Sequence, residues 1–93
     1  MLFVALLNAK PNWSSAQSMQ KRVEWKSPEG IKKVAEYWLQ NNAPRVITIF
    51  EADNIAPIMA STAPWTEFFE ITVVPAITAE EGLKLAPQMM PKT

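Results

Sequence analysis

The stretch Leu2-Phe3-Val4-Ala5-Leu6-Leu7-Asn8 decides the fold of this chain. It is apolar at odd and even positions alike, which is how an interior strand buried on both faces reads. Working outward, strand-like runs recur at residues 31 to 39, 45 to 52 and 69 to 77, beside the first at 2 to 9. Helix-like stretches follow only the first and third runs. That is the β-α-β-β-α-β order of a ferredoxin-like sandwich, an α+β fold. Its helices cover one face of the sheet, yet the strands are apolar on two, so a partner is expected on the other, a second copy of the same chain.

Turn and cap signals set the boundaries. Pro11 breaks the first run, and Ser14-Ser15-Ala16-Gln17 forms a capping box with Ser14 at N-cap and Gln17 at N3. The helix that follows has a thin apolar stripe of Ala16, Met19 and Val23, with Trp13 near its start. Pro28 and Gly30 end it and open the second strand. Strand two alternates Lys33, Ala35, Tyr37 and Leu39 on one face with Lys32, Val34, Glu36 and Trp38 on the other. Asn41-Asn42-Ala43-Pro44 closes a hairpin into Arg45 to Ala52, a strand rich in β-branched residues. Asp53 or Asn54 caps a second helix that carries Pro57 in its first turn and runs to about Thr62. After Phe69 to Ile77, the capping box Thr78-Ala79-Glu80-Glu81 opens a short terminal helix. Pro87 is expected to end that helix, giving one domain over residues 1 to 93 with a core to residue 86 and a tail from 87 to 93.

Composition excludes several chemistries. Of 93 residues, nine are Lys or Arg and nine Asp or Glu, so no excess of positive charge is available to neutralise phosphates and nucleic acid is not an expected partner. The chain has no cysteine, hence no disulfide and no thiolate, in keeping with a cytoplasmic location. The apolar opening lacks a basic segment and meets Asn8 and Lys10 too soon for a signal peptide, and no stretch is long enough to span a bilayer. Without His or Cys no zinc, copper or iron–sulfur site is expected. Glu51 and Asp53 are explained by solvation and helix capping. No histidine is present to activate a serine, and the two glycines stand apart, so neither a triad nor a phosphate loop is expected and no cofactor is assigned.

The remaining candidate is the sheet face that the helices leave open. If Ile47, Ile49, Ile71 and Val73 pack under the helices, the opposite parity presents Val46, Thr48, Phe50, Thr72 and Val74, with Glu36 and Trp38 from strand two. An apolar surface with a few polar groups describes a ligand pocket or a dimer interface. Trp13, Trp25 and Trp65 stand at helix ends, where an indole seals a core. Trp38, in mid-strand, is the better cavity residue, together with Thr48, Phe50 and Thr72. Glu36 is the ionisable group of interest, because burial beside Trp38 raises its pKa and suits it to acid or base work.

The apolar first strand, the segment Glu24-Trp25-Lys26-Ser27-Pro28-Glu29-Gly30, Phe50-Glu51-Ala52-Asp53 and Ala63-Pro64-Trp65 resemble a family of small prokaryotic proteins, domain of unknown function 3303. The resemblance covers the chain up to its last helix. That family is similar to the dimeric α/β-barrel superfamily, whose members pair open sheet faces into a barrel and include cofactor-independent monooxygenases, haem enzymes and isomerases. The resemblance implies a fold rather than an activity. Haem enzymes of the group use a histidine ligand, which this chain lacks. The monooxygenases use asparagine and tryptophan, residue types that Asn8 and Trp38 supply.

The expectation is therefore a dimeric α/β-barrel protein that binds a small hydrophobic molecule in the barrel or serves as a dimer module. The alternative is a cofactor-independent monooxygenase or isomerase, with Glu36 and Asn8 as catalytic candidates.

Overall fold

The computed structural model describes residues 1–90. Its elements are β1 (Leu2–Ala9), α1 (Ser15–Glu24), β2 (Ile31–Trp38), β3 (Val46–Ala52), α2 (Ala56–Thr62), a 3₁₀ turn (Ala63–Glu67), β4 (Phe69–Ala76) and α3 (Ala79–Met89). The strands form one antiparallel sheet in the order β2-β3-β1-β4. An α+β fold with a four-stranded antiparallel sheet and three helices is consistent with the ferredoxin-like expectation, and β1 is interior as its apolar run implies.

Local chemistry sets the ends. The Ser14 hydroxyl accepts from the Gln17 N–H at 3.4 Å, and the Thr78 hydroxyl from the Glu81 N–H at 3.1 Å. At α2 the expected cap is corrected: the N-cap position is Ile55, with no side-chain cap hydrogen bond, and the Asn54 carboxamide instead accepts from the Ala56 N–H at 2.9 Å in the turn that leads into the helix. Gly30 takes a φ of +90°, and a Cβ there would stand 3.5 Å from Pro57 Cβ, so the turn into β2 asks for glycine on conformational grounds.

The register fixes the faces. Phe3 lies opposite Phe50, Ala5 opposite Thr48 and Val73, and Leu7 opposite Val46 and Ile71. Phe3, Ala5, Leu7, Phe50, Ala52 and Phe69 form the core with Ile58 of α2 and Phe68. Ile71 and Val73 pack against this core as expected. Ile47 and Ile49 do not, because they alternate with buried Thr48 and Phe50. The expected parity is thus corrected on β3, whose Val46, Thr48 and Phe50 face the helices, while Thr72 and Val74 face away. The stripe expected on α1 is also corrected. Met19 is 45% exposed and Val23 80%, and among the described residues of α1 none is buried.

Strand β2 departs from simple alternation. Its pairing with β3 shifts between Lys33 and Ala35, so that Lys33 stands opposite Phe50 and Glu36 opposite Thr48. In a regular strand residues three apart point to opposite faces; the bulge at Val34 turns Lys33 and Glu36 to the same one.

Helix α3 continues through Pro87 to Met89, beyond its expected end. A proline late in a helix removes one hydrogen bond, and the preceding carbonyl can turn to water because this helix is largely exposed. Of the tail expected from residue 87, residues 91 to 93 lie outside the described part. The radius of gyration, 15.7 Å, exceeds the roughly 12 Å of a compact domain this long, and the longest dimension is 55 Å. With Leu83 75% exposed, α3 reads as an arm rather than a core element.

Candidate functional site

A cavity of about 300 Å³ lies between α1 and the helix-facing side of the sheet. Its existence follows from the sequence of α1. The residues of that helix on the cavity wall are Ser15, Ser18, Met19 and Arg22, spaced at three and four and mostly polar or small, so they do not fill the space beneath them. The floor is Ala5, Leu7, Val46, Thr48, Phe50 and Phe69 of the sheet. Ser61 and Thr62 of α2 and the indoles of Trp13, Trp25 and Trp65 close the sides. Trp25 and Trp65 meet edge to face at 5.9 Å, and Trp65 tilts against Phe69 at 6.3 Å. The tryptophans expected to seal helix ends therefore also wall a pocket.

Glu36 is the polar centre. Lys33 Nζ donates to its Oε1 at 2.6 Å and Trp38 Nε1 to its Oε2 at 2.6 Å. From α1, Arg22 donates through Nε to Oε2 and through a terminal nitrogen to Oε1, each at 3.3 Å. Burial pushes the Glu36 pKa up, but the hydrogen bonds from Lys33, Trp38 and Arg22, with the charge of Lys33, together outweigh it and hold the carboxyl below its ordinary value of 4.5. The expectation of a raised pKa is corrected: the bulge at Val34 delivers Lys33 to the same face, and the group is a stabilised carboxylate.

Helix α1 is held from its other side by Lys21. Its Nζ donates to the Pro64 carbonyl and to Glu67 Oε2 at 3.4 Å, and lies 5.3 Å from the Trp65 ring centre. At the far rim, the Arg45 guanidinium stacks on the Trp13 indole at 3.7 Å. Trp13 Nε1 is buried and has no acceptor among the described residues.

Of the residues singled out in the sequence, Glu36, Trp38, Thr48 and Phe50 come together on this cavity. Trp38 remains 56% exposed at its edge. Thr72 and Asn8 do not join them. Thr72 lies opposite Leu6, and Asn8 alternates with core-facing Leu7, which puts both on the face away from the helices. Asn8 and Glu36 thus cannot act on one molecule in this cavity. The sequence reading missed Arg22, Lys33 and Arg45. Only the bulge makes Lys33 a partner of Glu36, and the contact of Arg22 with Glu36 depends on the docking of α1.

Among the described residues no helix is long and apolar enough to cross a membrane, and no group of three or more His, Cys, Asp and Glu could hold a metal ion. No curated protein and no solved structure matches the chain. The family profile described as a domain of unknown function (DUF3303) matches residues 1–90. This match over nearly the whole chain, in keeping with the motifs that suggested it, makes the protein a member of the DUF3303 family.

Proposed function

We propose that this protein binds a small hydrophobic molecule in the cavity between α1 and the sheet, and that it works as a homodimer in the cytoplasm. The observation that carries the binding reading is the cavity itself, about 300 Å³ walled by four indoles and two phenyl rings. That volume is at the lower end of the usual range for ligand sites, roughly 300–1,000 Å³. A chain this small gains stability by filling such a space, so leaving it open suits binding better than a purely structural role. The site differs from the barrel interior that the strand parity suggested, because Trp38, Thr48 and Phe50 face the helices.

The acid–base alternative, a monooxygenase or isomerase with Glu36 as proton carrier, is disfavoured by the four hydrogen bonds that three side chains donate to that carboxylate. A group stabilised as an anion is a weak base, and its lone pairs are already engaged. The dimer reading is favoured by a different surface. Leu2, Val4, Leu6, Ile47 and Ile49 form an apolar patch on the sheet face with no helix over it, and the α3 arm beside it leaves Leu83 and Leu85 exposed.

Native mass spectrometry of the purified protein tests both parts. A dimer mass with a retained small molecule is expected. A bare monomer, with no ligand recovered from denatured protein, overturns both.

A further inference from the structure

We propose that the occupant of the cavity is an anion, a small aromatic carboxylate whose ring lies against the indole wall and whose carboxylate is taken by Arg45. The inference rests on the binding reading above. The cavity lining contains three cationic side chains, Arg22, Lys33 and Arg45, and a single carboxylate, Glu36. Glu36 is shared between Arg22 and Lys33. Arg45 has no carboxylate partner among the described residues. The lining therefore carries two more cations than carboxylates, against an apolar wall of low dielectric that strengthens attraction for an anion.

Arg45 is also the cation best prepared for such a partner. Its Cζ lies 3.7 Å from the Trp13 ring centre, so the charge is seated on that indole. Its protein hydrogen bonds are long and use one nitrogen only, to the Asn41 carbonyl at 3.4 Å and to Asn42 Oδ1 at 3.2 Å. A guanidinium has five N–H donors in one plane, so several remain for a carboxylate, whose two oxygens match that fork. The stack also places the charge beside an aromatic surface, which suits a ligand that joins a ring to an acid.

Calorimetric titration of the full-length protein with naphthoate and with its neutral isostere naphthamide tests the proposal. Naphthoate is expected to bind at least about tenfold more tightly, with the preference shrinking as salt is added. Arg45→Gln is expected to abolish the preference by weakening naphthoate alone, and Arg45→Lys to retain part of it. Equal binding of the two ligands by the wild type, a preference for naphthamide, or equal weakening of both by Arg45→Gln overturns the anion assignment while leaving the pocket reading intact. Binding of neither ligand overturns both. If Arg45→Gln does not fold, the wild-type pair decides: a preference unmoved by salt counts against the proposal.

Discussion

Arg22 of α1 and Glu36 of β2 meet on the cavity wall, with two guanidinium nitrogens each 3.3 Å from a carboxylate oxygen. The helix that roofs the cavity is tied to the sheet by charge, with its apolar residues Ala16 and Val23 turned to water. Such a roof opens more readily than one packed on a core, because a partly solvated ion pair contributes little and side-chain burial contributes much.

Removing the carboxylate charge should loosen this roof. Glu36→Gln keeps the shape but leaves Arg22 and Lys33 without their anion. We expect a loss of about 1 kcal/mol in urea unfolding, discounted because Arg22 is half-exposed. Hydrogen exchange should rise in α1 while β1 and β3 stay protected. Unchanged exchange in α1 would show that Glu36 does not hold the helix.

The same group sets a pH dependence. The folded-state pKa of Glu36 is lowered from 4.5, so its contribution is complete above that value and is lost as pH falls through the depressed folded value. The stability difference between wild type and Glu36→Gln should therefore be constant at neutral pH and shrink in acid below about pH 4.5. Urea midpoints across that range measure it, and a gap that widens in acid contradicts the sign.

Two substitutions separate core from roof. Ile58, with no exposed surface, should lose about 2–5 kcal/mol on truncation to Ala. Val23→Lys, on the outer side of α1, should change stability by less than about 0.5 kcal/mol. A large loss at Val23 would mean that the helix packs through its apolar stripe after all.

Trp13 offers a third contrast. Its buried Nε1 has no acceptor among the described residues, so Trp13→Phe removes an unpaired donor and should fall within about 1 kcal/mol of the wild type. Trp13→Ala, which removes the surface on which Arg45 stacks, should cost about 3 kcal/mol or more. Thermal and urea unfolding of the pair supply the comparison.

The proposed dimer is tested on the other face. Val4 stands opposite Ile49 at the centre of the sheet surface that no helix covers. A glutamate at Ile49 should leave a folded chain that sediments as a monomer, since an unpaired charge in an apolar interface is strongly disfavoured. A dimer that survives Ile49→Glu would place the interface elsewhere.

Much of the architecture was legible in the chain because its signals are local. The apolar run of β1, the Ser14 and Thr78 caps, Gly30 and Pro57 each act on backbone within a few residues. The end of α3 was misjudged at Pro87, since a rule about interior prolines weakens where the last turn is solvated. Of the candidate site only the grouping was legible: Glu36, Trp38, Thr48 and Phe50 share one face, but it is the helix-covered face rather than the open one expected, and Thr72 and Asn8 lie across the sheet.

By itself, then, the sequence determined the order of elements, the interior place of β1 and the absence of histidine and thiol chemistry. Tertiary structure alone decided which face of the sheet the helices cover, because strands apolar on both sides carry no such preference in their period. It also decided the charge state of the site. The Val34 bulge brings Lys33 onto the face of Glu36, and the docking of α1 adds Arg22, so a carboxyl that burial alone would make harder to ionise becomes an anchored anion.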